Sequence, residues 1–160
     1  MRREGVPGPG SREAVISAVD ETNLLAAATV HSVSWRASHR AFCSPAFVEQ
    51  HSPERQRAYL REKLESGSRI YLLSDPEPVG LVSVTGSLIA DLYVLPEKQG
   101  RGYGTRLALF AMGACTGVPT LWILENNARA ERLYRRLGFR ETGRVRENPG
   151  GLSELELALG

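Results

Sequence analysis

A single mixed α/β domain is the fold class that this sequence predicts, on three observations. Apolar residues recur at three- and four-residue spacing through residues 20–66. The period then shortens to strand-like runs separated by turn residues through residues 69–95. Helical and strand patterns alternate from there to the end.

Glu13–Val19 (EAVISAV) alternates and reads as a first strand. Asp20 is placed to cap a helix from about Glu21, because its side chain can accept from the orphan amides of a first turn. Leu24, Leu25, Ala28, Ser32 and Trp35 then share a face, and Pro45 interrupts. Ser52-Pro53 is an N-cap followed by proline at the first helical position, which opens a helix to about Ser66 that Gly67 ends. Arg69–Ser74 and Val79–Val84 are strands about an Asp-Pro-Glu-Pro turn, and Thr85-Gly86-Ser87 connects to a third, Leu88–Leu95. After the glycine-rich turn Gly100–Gly104, the residues Tyr103, Leu107, Phe110, Ala111 and Ala114 follow helical spacing. Thr120–Leu124 is a strand. Ala130, Leu133, Tyr134 and Leu137 mark the inner face of a last helix, whose other face carries Arg129, Glu131, Arg132, Arg135 and Arg136. Gly138 is placed to end that helix in a left-handed cap. Phe139–Arg146 and Leu152–Leu159 close the domain as strands. The expected order is β-α-α-β-β-β-α-β-α-β-β.

Residues 1–12 hold three glycines and two prolines with no apolar period, and are expected to be a flexible tail ahead of one domain over 13–160. That tail also accounts for the net charge of +2, since Arg2, Arg3 and Arg12 face only Glu4 and the remaining charges balance. A neutral body disfavours nucleic acid as a partner, because that affinity rests on many phosphate contacts. No apolar run approaches the roughly 20 residues that cross a bilayer, and no apolar stretch follows the first arginines as in a secretory signal, so a cytoplasmic protein without membrane contact is expected. The two cysteines, Cys43 and Cys115, form no metal-ligand spacing and read as idle thiols, so no metal is expected.

The most informative stretch is residues 92–107, LYVLPEKQGRGYGTRL. A strand ends, a proline stops it, and Gln99-Gly100-Arg101-Gly102-Tyr103-Gly104 leads into a helix. Glycines let backbone approach a ligand closely, and free amides at a helix start bind anions. A phosphate or pyrophosphate suits that turn, with Arg101 and Arg106 adding charge. The spacing is neither the dinucleotide fingerprint nor a nucleotide P-loop. Read alone, the turn also suits an ordinary flexible connection.

Gln99-x-x-Gly102-x-Gly104 resembles the acyl-CoA pyrophosphate motif of the GNAT acetyltransferase superfamily, and Leu92-Tyr93-Val94 resembles that family's splayed strand. Asn127-x-x-Ala130-x-x-x-Tyr134-x-x-x-Gly138-Phe139 resembles its later motif, in the same order and at a matching separation. The resemblance covers roughly residues 13–159. It implies a central mixed, mostly antiparallel sheet with splayed strands, flanked by helices. It also implies acetyl-CoA as co-substrate, lying between Leu88–Leu95 and Thr120–Leu124. The backbone of Leu92, Tyr93 and Val94 would pair with the pantetheine arm, and an amide near Val94 would polarise the thioester carbonyl. Gln99, Gly100, Arg101, Gly102, Tyr103, Gly104 and Thr105 would hold the pyrophosphate, and Asn127 would touch the cofactor arm. An amine would attack directly, with no covalent enzyme intermediate.

The resemblance makes Tyr134 both a cofactor contact and the general acid for the departing thiolate, since thiols near pKa ~8.5 and phenols near ~10 exchange protons readily. Periodicity alone reads Tyr134 as a core residue. The general base departs from the family's pattern. Some members carry Glu six residues before the cofactor-pairing valine, where this chain has Leu88, and others use an acid at the place of Trp122. Asp91 is available, on the opposite strand face from Leu88 by alternation. Glu125, His31 and His39 are further candidates, and a water chain or an already neutral amine would also serve. The acceptor wall implied by the resemblance is Val33–His51, with Trp35, Arg36, His39 and Phe42 as candidate contacts. Trp35 also continues the apolar stripe of its helix. The expected activity is an N-acetyltransferase acting on a small amine or a protein N-terminus, as monomer or homodimer. A non-catalytic acyl-CoA-binding regulator is the alternative.

Overall fold

The computed structural model describes residues 14–160; the expected tail over 1–12 lies outside the described residues. Strands β1 (Val15–Ala18), β2 (Arg69–Ser74), β3 (Pro78–Thr85), β4 (Leu88–Val94), β5 (Thr120–Leu124), β6 (Phe139–Glu147) and β7 (Ser153–Leu159) form one sheet in the order β1-β2-β3-β4-β5-β7-β6. Every neighbouring pair is antiparallel except β4 and β5. Those two run parallel and share a single registered pair, Leu88 with Thr120. Beyond it the two strands part. The mixed, mostly antiparallel sheet with a splayed centre is therefore as expected.

Alternation along the strands builds two cores. Ile70, Leu72 and Leu81 turn to one face, where α1 (Leu24–His39) and α3 (Pro53–Glu65) cover them with Leu24, Ala27, Ala28 and Leu60. Leu73, Val82, Val84 and Ile89 turn to the other, under Leu107, Ala108 and Ala111 of α4 (Tyr103–Ala114) and Tyr134 of α5 (Ala128–Arg136). Gly80 in β3 lets α4 close down, for a Cβ there would lie 2.8 Å from the Tyr93 carbonyl oxygen and 2.9 Å from Leu107 Cδ1.

Local signals in the sequence account for most helix ends. The Ser52 hydroxyl accepts from the Arg55 amide at 3.2 Å, and Gly138 ends α5 at φ 101°. Three expectations are corrected. Pro45 does not simply interrupt: Ser44 and Pro45 repeat the Ser-Pro start, and a short helix, α2 (Pro45–Glu49), follows with the Ser44 hydroxyl accepting from the Phe47 amide. Asp20 does not cap α1. Its carboxylate accepts from the Thr22 amide in a turn ahead of the helix, and Asn23 holds the N-cap position. Leu25 leaves the buried stripe and stands exposed, while Ala27 and His31 are buried instead. Cys43 and Cys115 are free and half-buried. No helix among the described residues is long and apolar enough to cross a membrane.

Candidate functional site

The parting of β4 from β5 opens a cleft of about 870 Å³ between them. At one end lies the glycine turn. Gly102 sits at φ 87° as the N-cap of α4, a backbone setting that favours glycine, and no side chain caps the helix. The first-turn amides of Tyr103, Gly104 and Thr105 thus face the cleft without a side-chain acceptor, at the positive end of the helix dipole. Gln99 ties the turn to the sheet, its Nε2 donating to the Val94 carbonyl at 3.2 Å. Across the cleft, Arg129, Arg132 and Arg136 of α5 line the same wall, with Lys98 beside the turn. These three arginines belong to the charged face of α5 and remain exposed to solvent. The signal lay in their spacing of three and four residues, which keeps all three on one side of a helix. The two arginines expected to add charge stand elsewhere: Arg101 is not among the residues lining the cleft, and Arg106 donates to the Ala14 carbonyl at 2.8 Å.

The middle of the cleft is bounded by Leu92, Tyr93 and Val94. Leu95 N–H donates back to the Val79 carbonyl at 2.8 Å, so strand alternation turns the Val94 N–H the other way, toward the departing β5. Asn127 and Tyr134 close this section. Asn127 has a structural duty too, capping α5 by accepting from the Ala130 amide at 3.1 Å, which leaves its amide nitrogen for the cleft. Tyr134 is buried with its ring edge on Phe139, 5.6 Å between centroids. Its hydroxyl has no hydrogen-bond partner among the described residues, yet it is not sealed off in the interior. Burial pushes this phenol well above the ordinary tyrosine pKa.

The far end is walled by Ser34, Ala37, Ser38, His39 and Phe42 on one side and by Trp122 and Glu154 on the other. Of the four candidate acceptor contacts, His39 and Phe42 reach the cleft. Trp35 is instead stacked between His39 and His51, at centroid distances of 4.0 and 3.5 Å. Arg36 turns back to the Ser32 carbonyl and toward Glu49. His39 Nδ1 lies 3.0 Å from the Trp35 carbonyl oxygen. A carbonyl only accepts, and Ser38 Oγ, 2.9 Å from Nδ1, donates its one proton to the same carbonyl at 3.0 Å, so Nδ1 carries the ring proton and Nε2 keeps its lone pair. Burial lowers the His39 pKa, and its bond to the Trp35 carbonyl only partly offsets this. Ser34 Oγ is buried with no hydrogen-bond partner among the described residues. Glu154 is the acid that the sequence did not disclose: its place beside Trp122 follows from β5–β7 pairing, which sets Glu154 against Leu124. Its carboxylate takes Arg146 at 2.7 Å, and that guanidinium lies 4.2 Å over the Trp122 ring.

The other base candidates sit poorly for that work. Asp91 is enclosed by donors, with Lys63 Nζ at 2.6 Å and His31 Nε2 at 3.2 Å. Burial pushes its pKa up, but the His31 bond and the Lys63 charge outweigh this and hold the carboxyl far below the carboxylate range. Such a group does not take a proton near neutral pH. Its side chain also lies on the opposite face from that which alternation assigns, because a bulge in β4 intervenes. His31 is occupied in the same network, and Glu125 is exposed and does not line the cleft.

Comparison with known proteins agrees with this geometry. Residues 66–141, from the end of α3 into β6, match the family model described as the acetyltransferase (GNAT) domain. That match spans a little under half of the chain. The peptidyl-lysine N-acetyltransferase YjaB of Salmonella typhimurium is 35% identical to this chain over 68 residues, 42% of the chain and 46% of the relative. The matched stretch thus spans under half of that protein. The solution structure of apo YjaB from Escherichia coli superposes with a TM-score of 0.66 at 22% identity, covering 92% of this chain and 97% of that one. The PaiA N-acetyltransferase of Thermoplasma acidophilum, crystallised with coenzyme A, gives 0.67 at 17% identity over 90% and 98%. At those identities the two structures speak to the fold.

Proposed function

We propose that the chain is an acetyl-CoA-dependent N-acetyltransferase that acetylates a primary amine, on a small molecule or a protein, by direct attack. The observation that carries this reading is the continuity of one cleft. It joins unpaired helix amides and four cationic side chains at one end to an open backbone edge, a buried phenol and a neutral imidazole at the other. The donor set fits the ligand at each point. Pyrophosphate suits the Tyr103–Thr105 amides, further phosphate suits Lys98 and the three arginines, and a chain of amides suits the edge of β4. Bound acetyl-CoA supplies a thioester for an amine to attack.

The chain's own residues divide the remaining work. The Val94 N–H is a donor on the cleft side, suited to oxygen that gains charge during acyl transfer. Tyr134 offers its hydroxyl to the departing sulfur. We assign the proton from the attacking amine to His39 Nε2, whose ring is fixed by the Trp35 stack and carbonyl bond. The low His39 pKa keeps it neutral at pH 7, so activity should rise with pH through that pKa and then level. His39→Gln is expected to lose about 10²-fold in kcat/KM. The acid limb due to the imidazole should vanish from its pH profile, while any limb due to the amine's own ionisation stays. An unaltered limb would remove His39 from the mechanism.

The direct test is release of free CoA thiol from acetyl-CoA in the presence of an amine panel. The Salmonella relative is named for peptidyl-lysine, which puts lysine-containing peptides first, beside polyamines and peptide N-termini. Turnover with any acceptor supports the enzyme. Tight CoA binding with no turnover across the panel favours the acyl-CoA-binding regulator instead. Residues 13–160 are proposed as one domain, and removal of residues 1–12 is expected to leave the melting temperature within a few degrees. A large drop on calorimetry would make that segment part of the fold.

A further inference from the structure

We infer that Asp91 is a positioning residue: its carboxylate, gripped from two helices and a neighbouring strand, holds the bulge in β4 that sets which backbone groups face the cleft. The inference rests on the acetyl-CoA reading above.

The bulge is visible in the register. Leu81 pairs with Tyr93 and Ser83 with Ala90, so β4 spends two residues, Asp91 and Leu92, where β3 spends one. Asp91 takes up the extra length at φ 52°, and among the described residues it alone lacks glycine's freedom at positive φ. A side chain with a Cβ is disfavoured there, so something must hold it. The holding groups are all on the page. Lys63 Nζ at 2.6 Å and Tyr59 hydroxyl at 3.1 Å come from α3, His31 Nε2 at 3.2 Å from α1, and Ser83 Oγ at 2.9 Å from β3. Gln56 Nε2 donates to His31 Nδ1 at 2.8 Å, which leaves the His31 proton on Nε2, aimed at Asp91.

The consequence falls on the strand beyond. Strict alternation would put Asp91 on the face of Ile89. The extra residue puts Asp91 and Tyr93 among α1 and α3, and returns Leu92 and Val94 to the other core. It equally decides that the Val94 N–H points toward β5 rather than β3. Since β5 has parted after Thr120, the β4 groups on that side have no strand partner. They form an internal sheet edge that a ligand carrying amides can complete, as an added strand would. Asp91 thus acts through the backbone on the amide-bearing arm of CoA and not on its nucleotide end.

The experiment compares CoA with adenosine 3′,5′-bisphosphate, which lacks that arm, by calorimetry. Lys63→Met is the background, so that no unpaired ammonium confuses the result. Added Asp91→Ala is expected to weaken CoA about tenfold, the effect of one or two misplaced hydrogen bonds. Affinity for the bisphosphate should change less than about twofold, because its turn is untouched. Added Asp91→Gly should recover most of the CoA affinity, since glycine adopts the positive φ without a clamp. Equal CoA affinity in the alanine variant and its background overturns the inference, as does equal weakness of the alanine and glycine variants, which would mean direct carboxylate contact with ligand. If the alanine variant does not fold, Asp91→Ser in the same background takes its place, since serine also lacks the carboxylate and disfavours positive φ, and undiminished CoA affinity there overturns the inference. Binding of neither compound by the unmodified chain would instead defeat the acetyl-CoA reading itself.

Discussion

Tyr134→Phe is expected to turn over about 10²-fold more slowly than the wild type, with folding and acetyl-CoA affinity preserved. The ring packs edge-on against Phe139 and is retained, so only the hydroxyl is lost. Burial raises its pKa, which keeps the phenol protonated but makes full transfer to a thiolate uphill. The hydroxyl then serves chiefly as a hydrogen-bond donor to sulfur as charge gathers there, with solvent completing protonation. That assignment places the loss at the low end of what a proton-transfer group contributes. It should fall on kcat while the acetyl-CoA KM stays nearly constant, as for a group acting in the transition state. The measurement needs an acceptor from the amine panel and conditions in which chemistry limits turnover. Wild-type kcat in the variant would return Tyr134 to the core residue that periodicity alone suggests.

Gly102→Trp should be more severe in binding. The glycine holds φ 87° at the N-cap of α4, and among the described residues no atom beyond its own chain neighbours lies within 4 Å of where its Cβ would stand. A protein clash is therefore not the obstacle. An indole there must either abandon the left-handed backbone, which turns the first amides of α4, or project beside those amides. Both outcomes remove the anion site. CoA affinity is expected to fall by about 10²-fold or more, since several hydrogen bonds to charged oxygen are lost together. Circular dichroism should remain close to wild type, because the turn is exposed. Calorimetry giving wild-type affinity would move the phosphate site away from this turn.

Much of this site was legible because short-range chemistry writes it. Strands Arg69–Ser74 and Thr120–Leu124, the Ser52-Pro53 start and the left-handed Gly138 all stand where local residues put them. The turn from Gln99 to Thr105 was equally plain, since only glycine-rich backbone allows that geometry. What escaped was set by partners distant in sequence. The β4 bulge depends on Lys63 and His31, 28 and 60 residues from Asp91, and alternation has no means to register it. Glu154 enters the cleft only through the pairing of β7 with β5. Trp35 had two readings, and the choice turned on His51 arriving from beyond α2 to complete a stack. A signal was present but passed over at Ser44-Pro45, the same start as Ser52-Pro53 on a helix one turn long.

The single rung between Leu88 and Thr120 bears on affinity as well as shape. A ligand that enters between two strands ordinarily has to pry them apart, and the hydrogen bonds it breaks are subtracted from those it makes. Here the two strands share a single rung, so few bonds between them stand to be broken, and Ile89, Leu121 and Ile123 brace their closed end in a common core. Little of the ligand's interaction energy is diverted to opening the sheet. The site is preorganised, and preorganisation is a chief route by which a modest set of contacts yields tight binding. A long, flexible, highly charged ligand loses much conformational freedom when it is ordered. A receptor whose opening is already built in leaves that loss as the main one the contacts must offset.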